Sequence, residues 1–201
     1  MWDSEKKLVL ETKLKIVESG LVVGNAGNVS LRITNADGKD FLAITPSQRY
    51  CDSLNPEDMV IVDFEGNNVE GELKPSMETM LHVEIYKKRK NVNAIIHAHP
   101  PYSSVLAVTG QEIPCILDDQ VIFLGGLIKV APYAPAGSRR LVENVIYSLE
   151  DKNAVIMANH GSLSVGKDMI EAFNNCEILE KTAKIYIHAL TIGQVKLIPQ
   201  D

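Results

Sequence analysis

Five histidines, His82, His97, His99, His160 and His188, are the residues most able to do chemistry in this 201-residue chain. His97 and His99 stand two apart in the apolar run AIIHAH at 94–99. If that run is a strand, its period of two puts both imidazoles on one face. Two ionisable rings side by side in a buried layer are costly unless their nitrogens are satisfied. A metal ion would satisfy them; a pair of hydrogen-bonded core histidines is the competing reading. His160 follows a second apolar run, NAVIMAN at 153–159, and precedes Gly161. Three imidazoles leave a fourth zinc position open, the pattern of a catalytic rather than a structural site. His82 competes with His160 as the third ligand, and His188 reads as surface or core filling.

Glu78 follows Lys74-Pro75-Ser76-Met77 in the pattern KPSMETMLHVEIY at 74–86 and opens a predicted helix. A helix N-terminus stabilises its anion, and the carboxylate could reach a metal or a substrate proton. The plainer reading is an ordinary first-turn acid. The turn GNAGN at 24–28, the hydroxyls of Thr45-Pro46-Ser47 and Ser76 could together form an anion cradle, although none is specific alone. Neither G-x-G-x-x-G nor G-x-x-x-x-G-K-[ST] is present, which weakens nucleotide-fold readings.

These residues need elements to hold them. Residues 3–20 read as an amphipathic helix stopped by Gly20. Strand patterns follow at 29–34, 41–45 and 59–64, divided by Asp37-Gly38 and Glu65-Gly66. A helix is expected over 76–90, capped by Ser76, then a buried strand at 94–99 ended by Pro100-Pro101. Residues 121–123 and 128–133 read as two further strands, 139–149 as a helix capped by Ser138, and 153–159 as a strand. Asp168 caps a long last helix to about 191, closed by Gly193. The reading is an α/β chain, with a mixed, mainly antiparallel central sheet covered by helices, in a single domain over 1–201.

Composition narrows the function classes. Apolar residues make up 45% and charged residues 23%, ordinary for a globular protein. The net charge of −6 and the absence of a basic cluster beyond KKRK at 87–90, which complements a helix end, argue against nucleic acid. No apolar run approaches the ~20 residues of a membrane helix, and the first residues show no signal-peptide pattern. Cys51, Cys115 and Cys176 lack paired spacing, so reduced thiols in a cytoplasm are expected, with Cys115 and Cys176 in the core.

Four segments, taken in order, resemble one known family: GNAGNVSLR at 24–32, ITPSQ at 44–48, KPSMETMLHVEIY at 74–86 with IIHAHPPYSSVLAV at 95–108, and APYAPAGS at 131–138 leading to ANHGSLSVGKD at 158–168. This is the class II aldolase/adducin pattern. Its enzymes include fuculose-1-phosphate aldolase, the nearest in pattern, and ribulose-5-phosphate 4-epimerase. The resemblance implies an αβα sandwich in a homotetramer with active sites between subunits. It implies zinc on His97, His99 and His160, Glu78 moving protons at the metal, and substrate phosphate among Asn28, Thr45, Ser47 and Ser76. The expected activity is retro-aldol cleavage of a ketose 1-phosphate to dihydroxyacetone phosphate and an aldehyde. Epimerisation or dehydration on the same site is the alternative, and a non-catalytic adducin-like binding domain is the reading from a different class.

The chain also departs from the family. Gln48 replaces a glycine and Met77 a serine. Asp118, with Asp119 beside it, stands where bacterial aldolases carry a tyrosine, and a carboxylate there could serve as proton donor. No tyrosine follows Tyr186, so the catalytic tyrosine of the relatives' C-terminal tail is expected to be missing.

Overall fold

The chain alternates elements in the order α1 (Asp3–Glu18), β1 (Asn28–Thr34), β2 (Asp40–Ile44), β3 (Val60–Asp63), β4 (Asn68–Glu70), α2 (Thr79–Lys88), β5 (Ala94–Ala98), α3 (Pro101–Thr109), β6 (Val130–Ala131), α4 (Arg139–Leu149), β7 (Ala154–Met157), β8 (Gly161–Gly166) and α5 (Met169–Ile192). These come from a computed structural model that describes residues 1–199, the side chain of Cys51 excepted. The last two positions of the 1–201 domain expectation, and the reading of Cys51 as a reduced thiol, lie outside the described residues.

The strands form one eight-stranded sheet in the order β4-β3-β2-β1-β5-β8-β7-β6. β6 and β7 are parallel, and the other neighbouring pairs among the described residues are antiparallel. Strand alternation sorts the side chains. Leu42, Ile44, Val60 and Val62 face α2 and α4, whereas Phe41, Ala43 and Ile61 face α1 and the start of α5. A third cluster joins Ala154 and Ile156 to α3 and the rest of α5. Both faces are thus covered, giving the expected αβα sandwich. Each fully buried aliphatic side chain contributes about 1.5–3 kcal/mol to holding the layers together.

Local structure departs from expectation in several places. The first helix ends at Glu18, and the second begins at Thr79 rather than Ser76. Ser76 is therefore not its N-cap. Residues 121–123 are not a strand but part of a π-helical turn, Gln120–Leu124. The cause is the Gln120 side chain, which is fully buried. Its Nε2 donates to the carbonyls of Ile113, Pro114 and Gly126, and its Oε1 accepts from the Ile116 N–H. One side chain thus supplies partners that a ladder would otherwise provide, and Ile122 stays 70% exposed. The expected strand at 128–133 shrinks to β6, whose continuation is interrupted by Pro132. The strand expected at 153–159 closes at Met157, and β4, α3 and β8 are elements that the patterning did not predict.

Candidate active site

β5 lies inside the sheet, bonded on one side to β1 and on the other to β8. His97 pairs in register with Asn28 of β1 and Leu163 of β8. His99 follows the strand end on the same side as His97. The tight turn between β7 and β8 carries His160 to the same point: the His160 N–H donates to the Met157 carbonyl at 3.1 Å, and Asn159 has φ 55°. Gly161 makes the approach possible. A Cβ there would stand 2.5 Å from the Ala98 carbonyl oxygen and 2.7 Å from the His99 ring. The imidazole centroids of His97, His99 and His160 are 4.7, 4.8 and 5.2 Å apart, and their ligand atoms lie within 4.8 Å of one another.

His97 Nδ1 lies 2.9 Å from the Ser162 carbonyl oxygen. A carbonyl only accepts, so Nδ1 carries the hydrogen and the Nε2 lone pair faces the cluster. Nε2 of His97 and of His99 are 2.9 Å apart. Burial, reinforced by the repulsion that a protonated ring would meet from His97 and His160, pulls His99 down to about 4, and burial lowers His160 as well. Both rings are therefore neutral at pH 7, the form that ligates metals. Converging imidazole nitrogens with one tautomer already set by the backbone fit a divalent cation.

Glu78 occupies the N-cap position of α2, makes no side-chain cap bond and is only 5% exposed. Its Oε2 accepts from Asn28 Nδ2 at 2.9 Å and lies 3.2 Å from His97 Nε2. Its Oε1 lies 3.5 Å from His160 Nε2 and has no hydrogen-bond partner. Burial pushes the carboxyl upward, but His97, His160 and Asn28 outweigh it and hold it below its ordinary value. A buried, ionised carboxylate with an orphaned oxygen beside three imidazoles is further reason to seat a cation there.

The residues around this centre line an open cleft of about 610 Å³, solvent at its mouth included. Asn28, Ser47 and Ser76 are among them, from three separate segments. The Ser76 N–H donates to the Thr45 carbonyl and the Ser47 N–H to the Lys74 carbonyl, which clamps the two hydroxyl-bearing turns together. Ser76 Oγ accepts from the Glu78 N–H at 3.3 Å. Thr45 does not line the cleft; its hydroxyl accepts from the Val29 N–H at 3.2 Å and supports β1 from behind. Gln48, at the glycine position of the family pattern, keeps the left-handed backbone with φ 55°. That conformation costs a non-glycine residue about 1–2 kcal/mol. Met77 also lines the cleft and is 62% exposed.

Other expected residues are elsewhere. Neither Asp118 nor Asp119 lines the cleft of its own chain; Asp118 is exposed, and Asp119 pairs with Lys181 of α5. His82 stays out of the three-histidine group, its Nδ1 2.7 Å from Ser30 Oγ, and burial pulls it down to about 3. His188 is exposed, its ring 5.9 Å from that of Tyr102. Sequence reasoning missed Ala136 in the lining and Lys13 behind the GNAGN turn. Lys13 was detectable, since Lys6, Val9, Lys13 and Ile16 form one helical stripe in which a lysine is out of place.

The model for the class II aldolase and adducin N-terminal domain matches residues 7–187. A 5-deoxy-D-ribulose 1-phosphate aldolase of Bacillus thuringiensis serovar kurstaki is 35% identical over 197 residues, covering 98% of this chain and 91% of its own. An L-fuculose phosphate aldolase of Methanocaldococcus jannaschii is 35% identical over 188 residues, covering 94% of this chain and 98% of its own. A solved L-fuculose 1-phosphate aldolase superposes with a TM-score of 0.92 at 34% identity, covering 98% of this chain and 91% of the other. The chain belongs to the class II aldolase and adducin family and stands among its aldolases.

Proposed function

We propose that the chain cleaves a ketose 1-phosphate by a retro-aldol reaction, giving dihydroxyacetone phosphate and an aldehyde. The observation that carries this reading is the carboxylate of Glu78, 3.2 and 3.5 Å from two of the three clustered imidazoles. Both relatives named above are aldolases of phosphorylated ketoses, which supports the same substrate class. A divalent cation on His97, His99 and His160, zinc by the character of the ligand set, supplies Lewis-acid stabilisation of the charge that develops on the substrate carbonyl oxygen.

The chain's own residues do the rest. In cleavage the C3–C4 bond breaks, its electron pair stays with C3, and the C4 hydroxyl loses its proton to become the aldehyde. In synthesis the ionised Glu78 removes a proton from the hydroxymethyl carbon of dihydroxyacetone phosphate; in cleavage it hands C3 a proton that it has first taken from solvent. Its depressed pKa keeps the base form available at neutral pH. Asn28, Ser47 and Ser76, with Thr45 behind them, hold the phosphate so that the reacting carbons stay in register. The C4 hydroxyl proton is assigned to Asp118 or Asp119 of a neighbouring copy in a cytoplasmic homotetramer, since neither carboxylate faces its own cleft. The exposed run Val121, Ile122, Phe123 beside them supports burial against another subunit. Among the described residues no helix is long and apolar enough to cross a membrane.

The test is a panel of ketose 1-phosphates incubated with zinc-loaded protein, read for released dihydroxyacetone phosphate and, in parallel, for epimers, with light scattering for the assembly. Stoichiometric triose phosphate and aldehyde from a four-chain particle is the expected result. Epimer formation without cleavage would overturn the lyase reading, and an active monomer would overturn the shared site.

A further inference from the structure

Lys13 is only 2% exposed, on the face of α1 that also buries Val9 and Ile16. An apolar residue would pack there without the desolvation that a buried ammonium requires. The ammonium donates to two backbone carbonyls, those of Ala26 and, at 3.1 Å, Gly27. Both belong to the turn whose residues line the cleft, and none of the cleft's lining residues is a lysine or arginine. A phosphate monoester would therefore meet Glu78 but no cationic side chain in the lining.

A trans peptide aims its N–H opposite to its C=O. Holding the Ala26 carbonyl toward α1 thus aims the Gly27 N–H away from the ammonium. The turn cannot drift off, because Gly27 is already packed on β5: a Cβ there would lie 2.6 Å from the His97 carbonyl oxygen. We propose that Lys13 is a positioning residue of the anion cradle, tying the Ala26 and Gly27 carbonyls back and lending the turn positive charge through their peptide dipoles. This deepens the aldolase reading and rests on it for the nature of the anion.

The test uses zinc-loaded protein and inorganic phosphate as the probe, with affinity read by calorimetry and by inhibition of cleavage. Lys13→Met removes donors and charge, and Lys13→Gln keeps a donor without the charge. Both should weaken phosphate about 10-fold, the scale of a partly buried charge–dipole contact, and raise KM equally, with kcat within about twofold. Lys6→Met is the control: Lys6 is as buried on the same helix but pairs with Glu70 at 2.6 Å. Phosphate affinity unchanged in both Lys13 variants, or lowered as much in Lys6→Met, overturns the proposal. Should neither Lys13 variant fold, amide NMR of the wild type decides: on phosphate addition the Gly27 amide must shift among the most, and a still Gly27 overturns the proposal. A wild type that binds no phosphate overturns the cradle itself, and the aldolase reading with it.

Discussion

Glu78→Gln separates the basic oxygen from everything else that the side chain does. The amide oxygen can still accept from Asn28 Nδ2, the bond that Oε2 holds at 2.9 Å. The new NH2 then falls where Oε1 now lies without a partner, 3.5 Å from His160. Shape and packing are therefore kept, and the variant should fold. What disappears is a negative charge beside two imidazoles and the group that exchanges a proton with substrate carbon. Loss of an outer carboxylate lowers metal affinity by about 10–100-fold, so at saturating zinc the three imidazoles should still bind one ion per chain. Loss of general-base assistance lowers the rate by about 10²–10⁴-fold. Cleavage and solvent-deuterium exchange into the hydroxymethyl group of dihydroxyacetone phosphate should fall together, followed by proton NMR on metal-verified samples. A Gln variant that exchanged that proton at the wild-type rate would remove Glu78 as the base and pass the role to Asp118 or Asp119.

Gly161→Ala should lower the melting temperature and release metal, because its Cβ must displace either the β5 backbone at 2.5 Å or the His99 ring at 2.7 Å, an overpacking cost of about 1–3 kcal/mol. Gly193→Ala, with open space around it, should be neutral in the same melts, and equal effects at the two sites would contradict the steric argument. His97→Ala should leave a folded protein without bound metal or turnover, checked by elemental analysis; full activity in a metal-free sample would sink the metal assignment. His82 is held at about 3 by burial, against the pull of Glu78, so the folded state carries fewer protons there than an unfolded chain at 6.5. Its contribution is complete above pH 6.5 and is lost as the pH falls from 6.5 toward about 3, at up to about 1.4 kcal/mol per unit. His82→Asn should flatten that slope in denaturant titrations, and an unchanged slope would place the acid sensitivity elsewhere.

The pairing of His97 with His99 is legible because strand alternation is strict, whereas His160, before a glycine at a strand end, competes with His82 as the third ligand until the family pattern chooses between them. The proposed phosphate cradle is suggested by the GNAGN turn and scattered hydroxyls, but these have no periodicity and are unspecific alone, so the family pattern carries most of that expectation. Pro100-Pro101 hides α3, because a proline pair ends a strand pattern and equally suits a first helical turn. β8 escapes notice although Ser162-Leu163-Ser164-Val165 alternates with the period of a strand, because the run is only four residues long between Gly161 and Gly166. The Val121-Ile122-Phe123 triplet misleads in the opposite direction: its apolar run suggests a strand, while the Gln120 amide determines the backbone from one residue away. For Asp118 and Asp119 a single chain shows only an exposed and a half-buried acid away from its own cleft, and the role proposed for them in a neighbouring copy has no sequence signal beyond the family pattern.

The pairing of β5 with β8 joins residues far apart in sequence; the His97–Ser162 contact spans 65 positions. Closing so long a loop costs chain entropy before the ladder returns any stabilisation, so such contacts tend to mature late in folding. His97, His99 and His160 then converge only after the barrier is crossed, and an ion that needs all three has little to hold in the transition state. Metal should consequently leave the folding rate almost untouched and slow unfolding instead. The loaded protein would owe its lifetime to a kinetic clasp fastened last and released first, so that chelation shortens its persistence without impairing its ability to fold.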